Sequence, residues 1–132
     1  MKTPRDHALA LLHKAAHDLF AARAILAAGE AFDTVCFHAQ QTVEKSLKAV
    51  LAAHEVEYPR RHDLGELLEL VKPWVPEVAR DAAPIISLAP YAVEIRYEVE
   101  FEPSGDQATE AVRTAAEVYE LIKHALEVNR VD

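Results

Sequence analysis

The chain has a single cysteine, only three glycines and no apolar run of membrane-spanning length. One thiol cannot form an intramolecular disulfide, so a reduced, cytoplasmic setting is expected. Without a spanning segment no membrane association is expected, and the N-terminal stretch from Met1 to His7 lacks the apolar core of a signal peptide. There is no Cys-x-x-Cys pair, no glycine-rich phosphate loop and no Gly-x-Ser-x-Gly elbow. Positive charge is also short. The net charge of -8 disfavours DNA, and non-specific RNA, as a partner, because that grip comes from neutralised phosphates. What is present is alanine and leucine in abundance, a helical composition, over 132 residues that suffice for one domain and one core.

Apolar spacing predicts an all-α, up-and-down bundle of four long helices plus one short helix. Helix one covers Arg5 to Ala28, with Leu9, Leu12, Ala16, Leu19, Phe20 and Leu26 as its apolar stripe and Gly29 as its stop. Arg23 lies inside that stripe, so its stem snorkels or its head pairs with a carboxylate. Helix two starts at Asp33, read as an N-cap, and ends near His54. Helix three is short, from Leu64 to Lys72, capped by Asp63 and ended by Pro73. Val78, Ala82, Ile85, Ala89, Ala92 and Arg96 keep a helical spacing through several prolines, which predicts a kinked helix four ending near Tyr97. An acidic loop over Glu98–Glu102 follows. A Ser104–Gln107 capping box then opens helix five, which runs to about Val128.

Helix two carries two stripes where a surface helix carries one. At about 100° per residue, Phe32, Cys36, Ala39, Val43, Leu47 and Val50 make a core face. Phe37, Gln41, Glu44, Lys48 and Leu51 make a second line, in alternating steps of four and three. Phe and Leu bracketing Gln, Glu and Lys suit a helix gripped on both sides. Phe37, Gln41 and Leu51 are therefore read as a dimer surface, the alternative being a central helix with buried polar contacts. Lys45, Lys48, Arg60, Arg61 and His62 cluster in sequence, whereas Glu94, Glu98, Glu100, Glu102 and Asp106 make a later stretch acidic. The basic cluster is either a patch that takes one phosphate or a small nucleotide, or a solvated face. His62 beside the cap Asp63 stands near a helix N-terminus, where anions bind. Arg96 ends an apolar stripe and needs a partner, with Glu44 the candidate. His13 and His17 have a zinc-compatible spacing but no third ligand, and Cys36 has no base beside it. Neither metal nor cofactor is expected.

Four pieces in this order, Asp18-Leu19, then Phe37 to Ala49, then Pro59 to Leu64, then Tyr91 to Tyr97, resemble the HEPN family (higher eukaryotes and prokaryotes nucleotide-binding), in its small prokaryotic branch. The resemblance spans nearly the whole chain. It implies a dimerising helical bundle whose partner is a minimal nucleotidyltransferase, the two forming a toxin–antitoxin module. It also implies a ribonuclease motif, Arg followed after four to six residues by His. Arg96 matches the arginine, but Phe101, Glu102 and Pro103 fill the positions where the histidine belongs. Three readings follow. The first is a dimeric module that binds a nucleotide, RNA or the nucleotidyltransferase through Gln41, Glu44, Lys45, Lys48, His62, Arg96 and Tyr97. The second is a metal-independent ribonuclease using another histidine, His62 or His38. The third is a non-catalytic structural protein.

Overall fold

The structure, a computed structural model, describes residues 2–58, 63–92 and 102–128. His62, Arg96 and Tyr97, the basic pair Arg60 and Arg61, the end of the expected helix four and most of the acidic loop lie outside the described residues. Every element among the described residues is helical, as the spacing predicts. They are the α-helices α1 (Pro4–Ala28), α2 (Phe32–Ala53), α3 (Leu64–Val71), α4 (Ala82–Ile86) and α5 (Gly105–Val128), with 3-10 turns at Pro76–Asp81 and Ala89–Ala92.

Helix α1 begins in a full capping box. Thr3 Oγ1 accepts from the Asp6 N–H at 3.0 Å, and the Asp6 carboxylate accepts from the Thr3 N–H at 3.0 Å. It ends at Gly29, whose φ of 74° is the left-handed conformation that glycine takes without strain. Helix α2 starts at Phe32, one residue before the expected Asp33. The cap position is Ala31, at φ 52°, and Asp33 sits in the first turn, where its Oδ1 accepts from the Thr34 N–H. The other two caps form where expected. Asp63 Oδ1 takes the Glu66 N–H at 3.1 Å, and Ser104 and Gln107 exchange bonds at 2.8 and 3.1 Å.

Helix α2 is the centre of the bundle, packed by α1, α3, α5 and the turn at Ala89–Ala92. Arg5 at the start of α1 donates to the Leu126 carbonyl near the end of α5 at 3.4 Å, so these two helices run in opposite directions. The core face of α2 is as predicted, with Cys36, Ala39, Val43, Leu47 and Val50 fully buried. Leu51 is equally buried, at 0% exposure. The expectation that it belongs to a dimer surface is corrected, because the protomer's own packing already buries it. Fully burying such a side chain stabilises the fold by roughly 1.5–3 kcal/mol.

Two further differences have clear causes. Helix α1 turns Ala8, Leu12, Ala15, Leu19 and Ala22 inward, which leaves Leu9 at 45% and Phe20 at 75% exposure instead of in the core. An alanine-rich helix packs close on a narrow line, and the wider predicted stripe wraps past it. Over its described part, helix four is not one kinked rod but three short pieces: a 3-10 turn at Pro76–Asp81, then α4, then a 3-10 turn at Ala89–Ala92. Pro76, Pro84 and Pro90 each lack a backbone donor, so the i to i-4 ladder restarts instead of bending. Of the predicted stripe Val78, Ile85 and Ala92 reach the core and Ala82 and Ala89 are half-buried, while Leu88 and Tyr91, outside that stripe, are buried as well.

Candidate functional site

Buried polar residues gather on α2: Gln40, Thr42, Glu44 and Ser46, joined from α1 by Asp18. Thr42 and Ser46 return their hydroxyl protons to the carbonyls one turn back, those of His38 at 2.9 Å and Thr42 at 2.7 Å. That satisfies each group locally and leaves the others to form two clusters.

The first cluster is a relay along one helix. Gln41 Nε2 donates to Gln40 Oε1 at 2.7 Å, and Gln40 Nε2 donates to Glu44 Oε1 at 3.0 Å. Lys48 Nζ donates to Glu44 Oε2 at 3.1 Å. The same ammonium lies 5.3 Å from the Tyr58 ring centroid, within cation–π range. Steps of three and four residues put these heads on one side of α2. Tyr58 also lines a groove of about 850 Å³ with Lys2, His7, Glu55 and Glu57.

The second cluster ties α2 to α1. Asp18, its side chain 12% exposed, receives His38 Nδ1 on Oδ1 at 2.8 Å and Lys45 Nζ on Oδ2 at 2.6 Å. The Phe37 ring stands edge-on to the His38 ring at 5.5 Å. Of the four predicted site residues on α2, Gln41, Glu44 and Lys48 share one cluster and Lys45 belongs to the other. His62, Arg96 and Tyr97, and with Arg96 its expected pairing to Glu44, lie outside the described residues.

Reasoning from sequence did not place Asp18 or Gln40 in the site, and it treated His38 only as a substitute catalytic histidine. A signal for Asp18 was available. It stands at the buried register of Leu12, Ala15 and Ala22, and a carboxylate in a buried register must be paired. Among the described residues no buried side-chain nitrogen or oxygen lacks a partner.

Other candidate chemistries find little support in the geometry. Cys36 is fully buried beside Tyr91, and burial pushes its thiol up to about 11, against the thiolate that a nucleophile needs. His13 and His17 are exposed, with ring centroids 4.3 Å apart. Among the described residues no group of three or more His, Cys, Asp or Glu is arranged to hold a metal ion, and no helix is long and apolar enough to cross a membrane.

Comparison with known proteins gives one family and one fold. The sequence pattern of the HEPN domain matches residues 8–125. A crystal structure of an archaeal HEPN homologue superposes with a TM-score of 0.72, covering 96% of this chain and 99% of that one at 24% identity. At that identity the likeness is one of fold. No curated protein matches the sequence.

Proposed function

The chain belongs to the HEPN domain family, and on that premise we propose that it is a dimeric binding module. Its ligand in this reading is a nucleotide or a minimal nucleotidyltransferase partner, within a toxin–antitoxin-type pair. The observation that carries the reading is the anchoring of two lysines on α2 by buried carboxylates, Lys45 by Asp18 and Lys48 by Glu44. Burying an ion pair costs desolvation and adds little net stability. Such pairs do more to hold the ammonium groups in place than to hold the fold. Each ammonium has three donors, so after its carboxylate bond it has protons left for a phosphate or a partner's carboxylate. Donors fixed before binding lose little entropy when the ligand arrives. In this proposal His62, Arg96 and Tyr97 complete the pocket, and Phe37 and Gln41 face the second protomer.

Equilibrium binding of labelled ATP and GTP, with co-purification of a nucleotidyltransferase from a neighbouring gene, tests the reading. Lys48→Ala and Arg96→Ala should each weaken binding at least tenfold. Equal affinity in wild type and both variants would end the pocket proposal. A second reading, a ribonuclease, draws on one observation: His38 is held by a carboxylate in the manner of a proton-transfer histidine. Cleavage of mixed RNA that disappears in His38→Ala or His62→Ala would favour it over the binding module.

A further inference from the structure

The two oxygens of Asp18 are both engaged, and this fixes what its partners present to solvent. A carboxylate paired with Lys45 is ionised and can only accept. The hydrogen of the 2.8 Å contact therefore belongs to His38 Nδ1, and in the neutral ring Nε2 keeps the lone pair. Among the described residues Nε2 has no hydrogen-bond partner. Because no buried side-chain nitrogen lacks one among the described residues, Nε2 reaches the surface. Turning the ring over would take Nδ1 off the carboxylate, so the acceptor stays outward. Lys45, its side chain 28% exposed, gives one proton to Asp18 and keeps two.

Two solvent-facing groups of opposite kind thus flank one carboxylate: an acceptor on His38 and a cationic donor on Lys45. A fully ionised phosphate or carboxylate suits only the lysine and would set its own lone pairs against that of Nε2. A hydroxyl beside an anionic group suits both, the hydroxyl donating to the imidazole and the anion accepting from the ammonium. A sugar phosphate with a free hydroxyl has that pattern. We propose that His38 is a specificity-determining residue, resting on the nucleotide-binding reading above. It accepts a hydrogen bond from a ribose hydroxyl while Lys45 holds the neighbouring phosphate, so the protein prefers ribonucleotides to their deoxy forms. Asp18 is the positioning residue that sets the tautomer.

The test is equilibrium binding of labelled ATP, 2′-deoxy-ATP and 2′,3′-dideoxy-ATP to the full chain at pH 8. Wild type should hold ATP roughly five- to tenfold tighter than the dideoxy form, the net effect of about one hydrogen bond. His38→Phe keeps a ring of similar size without the acceptor and should bring that ratio close to one. Asp18→Asn, whose amide can donate to the ring and move the proton to Nε2, leaves a ring nitrogen that the hydroxyl can still meet, now as acceptor, so it should keep more of the ratio than His38→Phe does. A merely structural role would weaken all three ligands in parallel and leave the ratio unchanged, overturning the assignment. Equal binding of the three by wild type would also overturn it, while leaving the binding module standing. No binding of any of them would remove the nucleotide reading, and this inference with it.

Discussion

Asp18 shows how much one side chain can decide. It lies in an alanine and leucine seam where an apolar residue would pack, yet it takes two donors from α2. Removing it as Asp18→Ala should cost about 2 kcal/mol, below the usual loss for a broken buried pair because His38 and Lys45 are each about a quarter exposed. Urea denaturation measures this. The paired change Asp18→Leu with Lys45→Met should recover most of the loss, since an apolar pair has no charge to desolvate. A double variant no more stable than Asp18→Ala would mean that the cluster stabilises the fold in its own right. Cys36 gives a second prediction at this scale. Its thiol stays protonated in the fold up to about 11, whereas an unfolded chain begins to ionise near 9.0. The fold therefore binds the proton more tightly than the unfolded chain does. Its contribution is complete below pH 9 and declines as pH rises towards 11, with Tyr91, also raised by burial, acting in the same direction. Native protein should be inert to a thiol reagent at pH 8 and react only once unfolded. Rapid labelling of the folded chain would contradict the burial.

Among the elements, α2 is where sequence and structure agree and disagree most instructively. Its two stripes were legible, because periodicity reports which positions avoid water. Periodicity does not report what covers them. The second stripe is covered by the protomer's own helices at Glu44 and Leu51, and is half-buried at Phe37, Gln41 and Lys48. Leu51→Ala should accordingly destabilise the chain by about 2–5 kcal/mol, the range for a buried leucine. An effect seen only in the oligomeric mass, with stability unchanged, would restore Leu51 to an interface. The caps of α3 and α5 were legible because Asp63 and Ser104–Gln107 act within one turn. The stretch from Pro76 to Ala92 was legible in some of its buried positions, but Leu88 and Tyr91 and the course of the backbone were not. Both a kinked helix and a chain of short turns place Val78, Ile85 and Ala92 inward, and only the spacing of the prolines separates them. At the site, residues joined along one helix, Gln41, Glu44 and Lys48, could be grouped from sequence. The Asp18–Lys45 link could not, because it depends on the register of α1 against α2.

At the scale of the whole molecule, two separate surfaces are candidates for the proposed dimer interface. One is the half-buried edge of α2 at Phe37 and Gln41, which the proposed function assigns to the second protomer. The other is the outer face of α1. There Leu9 and Phe20, about three helical turns apart and so on one line, are exposed, and Leu9 borders a groove formed with Tyr119, Lys123 and Leu126 of α5. On α1, Phe20 points roughly opposite to Asp18 by helical geometry, so one flat contact cannot use both faces. A two-fold interface brings the same patch of both protomers together, and a charge introduced near the axis meets its own copy. Light scattering at micromolar concentration should therefore give a dimer for wild type and for Phe20→Glu, and a monomer for Gln41→Arg and Phe37→Glu, with circular dichroism confirming that each is folded. Phe20→Glu, on an exposed position, should change stability by no more than about 0.5 kcal/mol. A wild-type monomer would end the dimer proposal. Dissociation by Phe20→Glu alone would move the interface to α1 and leave the α2 edge open to a ligand or to the nucleotidyltransferase.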